Sequence, residues 1–284
     1  MTPTCASLPA DVARAARDVR ERAPLVQCLT NEVTTNLVAS ALLAAGASPT
    51  AVSAPGEAEE LAAVAGAVLV NLGTLSTDQR ATVPTTVATA RAAGTPWVLD
   101  PVAVSVLSRR TRLARELLAS GPAVVRGNAS EVRALTGEGS GGRGVDATDT
   151  VDAAGAAAAR IAARTGGTVA VSGAIDWISD GMTRVRVAVG HPLLASITGA
   201  GCALGGLTAA YCAVADPLTA AVGATAALGT AAEVAARDAN GPASFQVALI
   251  DALHDQDPDA LHERVRDALD IAAEAHAGAA GGTR

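Results

Sequence analysis

The chain has 284 residues, half of them hydrophobic, with aromatic side chains at 1% and a formal net charge of −7. All 21 basic residues are arginine. A P-loop that grips phosphate with its lysine is therefore excluded, and the acidic balance without a basic run excludes a nucleic-acid surface. The core must be built from Ala, Val, Leu and Ile in close-packed elements.

Residues 1–23 carry early acids and no long apolar run, so they read as an amphipathic helical segment and not as a signal peptide. Helices are expected near 32–45 and 57–66, followed by a strand at 68–71 (VLVN). The pattern then alternates: helix 78–93, strand 97–100 (WVLD), helix 109–119, strand 123–126 (AVVR) and helix 129–136. GEGSGGRGVDATDT, 137–150, reads as a loop, and helix 150–165 leads to strand 168–172 (TVAVS). WISDG turning into RVRVAV, within 177–189, predicts an antiparallel pair. The last helices are expected at 202–215, 217–237 and 258–276, the first two divided by Asp216-Pro217, with a flexible tail at 277–284. Short β-branched runs alternating with helices predict an α/β fold: one domain, 24–276, with a mainly parallel sheet flanked by helices on both faces.

Four cysteines at 5, 28, 202 and 212 show no CxxC spacing and no paired histidine, so a zinc site is not expected and the thiols read as reduced, in the cytoplasm. Each expected parallel strand is apolar until its end and then delivers polar residues: Asn71 with Gly73-Thr74, Asp100-Pro101, Arg126-Gly127-Asn128, and Ser172-Gly173. In an open parallel sheet these ends share one ligand-binding edge. Asp100 alone could be a turn former, and Glu131 a capping acid with Asn128 or Ser130 as the cap. Together the two carboxylates could hold a hydrated Mg²⁺. Arg126 at a strand end must either pair with one of these acids or grip a phosphate.

The run ITGAGCALGG, starting at Ile197, places a glycine-rich turn before a helix. Backbone N–H groups in such a turn, backed by a helix N-terminus, make an anion hole without a charged side chain. Cys202 at the head of that helix is expected to have its thiol pKa lowered by the dipole; its alternative is a small buried hydrophobe, the reading adopted for Cys5, Cys28 and Cys212.

With these motifs in place, the chain resembles the hydroxyethylthiazole kinases of the ribokinase-like superfamily over about residues 24–252. The likeness rests on PLVQCLTNEVTTNLVASALLAAGASP, NLGTL, VLDPVAV, RGNASE, GGRGVD, VAVSG, SDG, HPLL, ITGAGCALG and GPASFQVALIDAL. It implies one ribokinase-like domain, a homotrimer with active sites between subunits, and ATP- and Mg²⁺-dependent phosphorylation of 4-methyl-5-(2-hydroxyethyl)thiazole. By the same resemblance Cys202 stands where sugar kinases have a catalytic aspartate, Arg126 and Ser172 contact ATP alongside Asn128 and Gly201, and Asp100 and Glu131 go with Mg²⁺. Gly199, Ala51 and Asn31 fall at the substrate, although Asn31 also reads as a helix cap. Three positions depart from the pattern: Ala51 and Thr35 replace methionines, and Ala200 replaces the threonine of GTGC. The alternatives are a related kinase for a pyrimidine or pyridoxal-type alcohol, a cysteine-nucleophile hydrolase and a non-catalytic nucleotide-binding scaffold.

Overall fold

In a computed structural model describing residues 7–137 and 151–273, the four parallel strands read from the sequence form within two residues of their expected bounds. They are β3 (Ala67–Asn71), β4 (Trp97–Asp100), β5 (Val124–Asn128) and β6 (Thr168–Ser172). The antiparallel pair is present as β7 (Asp176–Ser179) and β8 (Thr183–Val187). Three further strands, β1 (Leu25–Leu29), β2 (Ser48–Thr50) and β9 (Leu269–Ala273), complete one sheet of order β2-β1-β3-β4-β5-β6-β7-β8-β9. Pairing is parallel from β2 through β6 and antiparallel from β6 to β9. Most of the glycine-rich segment 137–150, including GGRGVD, and the tail 277–284 lie outside the described residues.

The strands read as continuous apolar runs because both faces of the sheet are covered. Val68, Leu69 and Val70 show this directly: Leu69 belongs to one apolar cluster, and Val68 and Val70 to the other. The first face carries α1 (Leu8–Arg22), α2 (Thr35–Ala44), α8 (Ala200–Cys212), α9 (Pro217–Ala235), α10 (Pro242–His254) and α11 (Pro258–Ala268). The second carries α3 (Glu57–Ala62), α4 (Thr77–Ala93), α5 (Ser108–Leu118), α6 (Ala129–Leu135) and α7 (Val151–Thr165). The helix α1 packs against α9 and α11. By length and composition α9 could cross a membrane, but 83% of its apolar window is buried inside this fold. Asp216 caps it, accepting from the N–H groups of Leu218 and Thr219, which fixes the expected break before Pro217.

One expected element is corrected. The helix expected over 258–276 ends at Ala268, and the next five residues form β9, paired antiparallel with β8 through Val185↔Ile271. Alanine favours a helix locally, but β8 would otherwise leave a row of backbone donors and acceptors unpaired. Pairing across the sheet outweighs the local preference.

Small residues set the spacing of α8. A Cβ on Gly205 would come within 3.1 Å of Leu69 and 3.3 Å of the Asp100 carboxylate, and one on Gly206 within 3.0 Å of Val38 on α2. The glycine pair thus lets α8 lie close to both the sheet and α2, bringing its first turn down onto the strand ends. Gly167 is under a tighter constraint, since a Cβ there would sit 2.2 Å from the Pro122 carbonyl oxygen and 2.7 Å from that of Ala123. Backbone cannot yield as a side chain can, so Gly167→Ala is expected to cost about 3 kcal/mol or more. Urea unfolding would check it; a loss below about 1 kcal/mol would contradict the close approach.

Candidate active site

The four polar strand ends lie side by side because β3, β4, β5 and β6 are consecutive in the sheet. Register pairs Asn71 with Asp100, and Asn128 with Ser172. A continuous polar chain follows across them. Asn71 Nδ2 donates to Asp100 Oδ2 at 2.8 Å, Arg126 Nη1 lies 3.5 Å from the same oxygen, and Arg126 Nη2 donates to Ser172 Oγ at 2.7 Å. Arg126 Nη1 also donates to the Gly201 carbonyl at 3.1 Å, tying the strand ends to the first turn of α8. A Cβ on Gly201 would stand 2.9 Å from that nitrogen, so any larger residue there would push the guanidinium off this contact.

The turn itself is built as the sequence implies. Gly199 caps α8 in the left-handed region at φ 96°, and Ala200 opens the helix. No side chain caps α8 and no acid occupies its first turn, so its leading N–H groups face the ligand edge without an anionic partner. A Cβ on Gly199 would meet Thr34 at 2.7 Å, which places Thr34, a residue the sequence reading did not single out, against the turn. Its signal was its place in the TNEVTT run. Thr35, where the family pattern has methionine, spends its hydroxyl on the Asn31 carbonyl at 2.9 Å, locking the turn before α2 in a way a thioether cannot.

Cys202, the third residue of α8, is buried, and its sulfur accepts the Asn31 amide at 3.5 Å. Asn31 Oδ1 accepts the N–H of Thr34 at 3.1 Å, so the residue serves both as a turn cap and as partner to the thiol. The expected lowering of the thiol pKa is overturned. Burial first, and the Asp100 charge second, push it above its ordinary value. Desolvation of the thiolate outweighs the hydrogen bonds from Thr34 and Asn71 and the Arg126 charge, which favour it.

Asp100 is completely enclosed, and burial raises its pKa to about 7 against the opposing pull of Arg126. Its Oδ1 has no hydrogen-bond partner; Arg126 Nε and Thr30 Oγ1 are likewise buried and unpartnered. Unsatisfied buried polar atoms grouped at one edge are where a ligand, ion or ordered water is expected. Glu131 is different. Its Oε2 accepts the N–H of Asn128 and its Oε1 that of Ala103, each at 2.9 Å, while Asn128 Oδ1 accepts the N–H of Glu131. Asn128 and Glu131 thus form a reciprocal cap on α6, and Glu131 also pins the loop after β4, where Ala103 has φ 57°. Of the two carboxylates, Asp100 alone presents an uncommitted oxygen.

That donor set suits a hard cation held by few protein oxygens, with the remaining positions left to water and phosphate. Among the described residues no group of three or more His, Cys, Asp or Glu side chains gathers to hold a metal. The uncommitted Asp100 Oδ1 is the carboxylate oxygen at this edge that could take a hydrated Mg²⁺.

Asp176, which the sequence reading missed, accepts the Gly173 N–H at 2.7 Å and closes the turn beyond Ser172; the SGAID spacing was its signal. Ala51 follows the edge strand β2, exposed, and is not joined to the cluster by any hydrogen bond among the described residues. His191, the one histidine considered as a partner for a nucleophilic cysteine, has its Nδ1 occupied by the Leu193 N–H and its ring 6.1 Å from that of Phe245. With the thiol pKa raised, nothing here supports a hydrolase.

The chain is 50% identical over 266 residues to a hydroxyethylthiazole kinase of Clavibacter sepedonicus, covering 93% of this chain and 94% of that protein. It is 54% identical over 257 residues to one of Kineococcus radiotolerans, covering 89% and 93%. Its fold superposes on the structure of the hydroxyethylthiazole kinase protein of Pyrococcus horikoshii OT3 with a TM-score of 0.83 at 38% identity, covering 93% of this chain and 99% of that one. The pyridoxal kinase of Staphylococcus aureus in complex with ADP, at TM-score 0.58 and 17% identity over 74% of this chain and 88% of that one, shares the fold alone. The profile of the hydroxyethylthiazole kinase family matches residues 16–258, and the chain belongs to that family.

Proposed function

We propose that this protein transfers the γ-phosphoryl group of ATP to the hydroxyl of 4-methyl-5-(2-hydroxyethyl)thiazole. The observation that carries this reading is the uncapped N-terminus of α8, whose first turn holds Cys202 and is bonded to Arg126 through the Gly201 carbonyl. The family membership supports the choice of alcohol.

Phosphoryl transfer asks the protein for alignment and charge stabilisation more than for covalent chemistry. The N–H groups at the start of α8 receive the migrating phosphoryl oxygens, a task they perform without reorganising during reaction. Arg126, held between Ser172 and Gly201, presents its guanidinium to the nucleotide phosphates. Asp100, whose Oδ1 is uncommitted, would hold Mg²⁺ with Glu131 close behind it, and the ion would supply positive charge to the phosphate oxygens. Cys202 orients the alcohol. Its raised pKa makes it a weak base, and in a loose transition state little proton transfer is needed before the new P–O bond forms. Asn31 fixes the sulfur in place.

The same likeness supports a homotrimer with sites between subunits. Val33 is 69% exposed and Val106 52% exposed, both in loops that follow strand ends, and a partner subunit would cover them. The free buried thiols of Cys28, Cys202 and Cys212 suit the reducing cytoplasm.

Incubation with the thiazole alcohol, ATP and Mg²⁺, followed by ³¹P spectroscopy, should yield ADP and one new phosphate monoester. Preferential phosphorylation of pyridoxal or hydroxymethylpyrimidine, offered separately, would overturn the assignment of the alcohol. Arg126→Ala is expected to raise the KM for ATP by about 10- to 100-fold, the worth of a hydrogen bond to a charged group, with a smaller effect on the KM for the alcohol. Equal changes in both constants would place Arg126 elsewhere in the mechanism.

A further inference from the structure

We propose a second anion site on the face of the sheet opposite Cys202, taking a small organic phosphate monoester. It is a cavity of about 330 Å³ between α4 and α5, where Arg80, Arg109 and Arg110 meet the apolar side chains of Leu75, Leu107 and Leu113. The inference does not rest on the reading of the catalytic site.

Three guanidinium groups line this cavity, and among the described residues none of them is paired with a carboxylate. Arg110 is half-buried and held in place by a 2.8 Å hydrogen bond from Nη1 to the Val102 carbonyl. Burial, and then the positive charge of Arg80, disfavour its charged form, and the Glu131 carboxylate offsets them only in part. Like charges are usually arranged to avoid one another, and a half-buried cation gains little help from solvent. A solvated surface patch accounts for Arg109 alone, but not for Arg110 held beside Arg80.

The adjoining helix adds to the imbalance. Leu107 stands at the N-cap of α5, offering no side-chain bond, and no acid occupies the first turn. Arg109 and Arg110 instead sit at that positive end, where the macrodipole disfavours cations. A bound dianion would neutralise the guanidinium groups and the exposed N–H groups together. Guanidinium forks match phosphate oxygens in geometry as well as charge, and the three leucines give an organic body an apolar wall.

Calorimetric titration of the whole protein with phenyl phosphate, in the presence of saturating Mg²⁺ and a non-hydrolysable ATP analogue, tests the proposal. The expected result is saturable one-site binding that weakens at least tenfold in Arg80→Ala/Arg109→Ala, a double variant of two exposed side chains whose fold is checked by circular dichroism. Benzoate of similar size should bind at least tenfold more weakly than phenyl phosphate. Absence of binding at millimolar probe, indifference to the double substitution, or benzoate binding as tightly would each overturn the assignment. So would binding that is seen only when the nucleotide analogue is left out, since the probe would then be occupying the ATP site.

Discussion

Asp100→Asn is expected to lower turnover by roughly 10²- to 10³-fold, the usual loss when one preorganised electrostatic contact to a transferring group is removed. The same change should alter how stability depends on pH. Burial raises the Asp100 pKa from 3.8 to about 7, so the folded protein retains a proton that the unfolded chain gives up. Where the native state binds more protons, stability falls as pH rises. Below about pH 4 both states are protonated and the residue carries no such penalty; between about 4 and 7 the penalty accumulates, and above 7 it levels off. Three pKa units correspond to about 4 kcal/mol, reduced in the net by the Arg126 charge that loses its partner in the variant. In the absence of nucleotide and Mg²⁺, the wild-type melting temperature should decline from pH 5 to pH 8 more steeply than that of Asp100→Asn. Parallel profiles would show that the carboxylate is not held in its protonated form. An inactive variant with a flatter profile would show that a buried charge is kept for activity at the expense of stability.

Cys202→Ala should lower turnover by about 10²-fold, the low end of the range for a proton-accepting group, because the buried thiol is a poor base. The KM for ATP should change by less than about threefold, since a thiol that orients the alcohol contributes little to nucleotide binding. Removing the sulfur leaves the Asn31 amide without its acceptor, a loss of about 1 kcal/mol in stability. Cys202→Ser keeps an acceptor at a shorter reach and should retain intermediate activity. Unchanged turnover in the alanine variant, with the fold intact, would remove the sulfur from the reaction and leave the work to the backbone N–H groups of α8.

The α/β class was legible because the apolar runs at 68–71, 97–100 and 168–172 end in polar residues and are followed or preceded by helical periodicity. The strand β1 was hidden by Gln27, a fully buried amide whose side-chain Nε2 donates to the Ala58 carbonyl; an isolated polar residue breaks an apolar pattern even when its hydrogen bond makes it a core residue. The helix α10 was recognised as a motif without being assigned a structure, and β9 was taken for helix because its pairing partner lies more than eighty residues away. Local sequence does not encode a distant open edge.

The candidate site divides in the same way. Residue type and position at the strand ends by themselves selected Asp100, Arg126, Ser172 and the turn before Cys202, since an apolar strand that ends in a charge has to present that charge at the sheet edge. Only the tertiary structure decided their states. It committed both oxygens of Glu131 to backbone N–H groups, left Asp100 Oδ1 without a partner, and raised the Cys202 thiol pKa that helix position alone would have lowered. The reason is that desolvation and hydrogen-bond satisfaction depend on which atoms surround a group in space, and those neighbours come from β3, β4, β5 and α8, segments far apart along the chain.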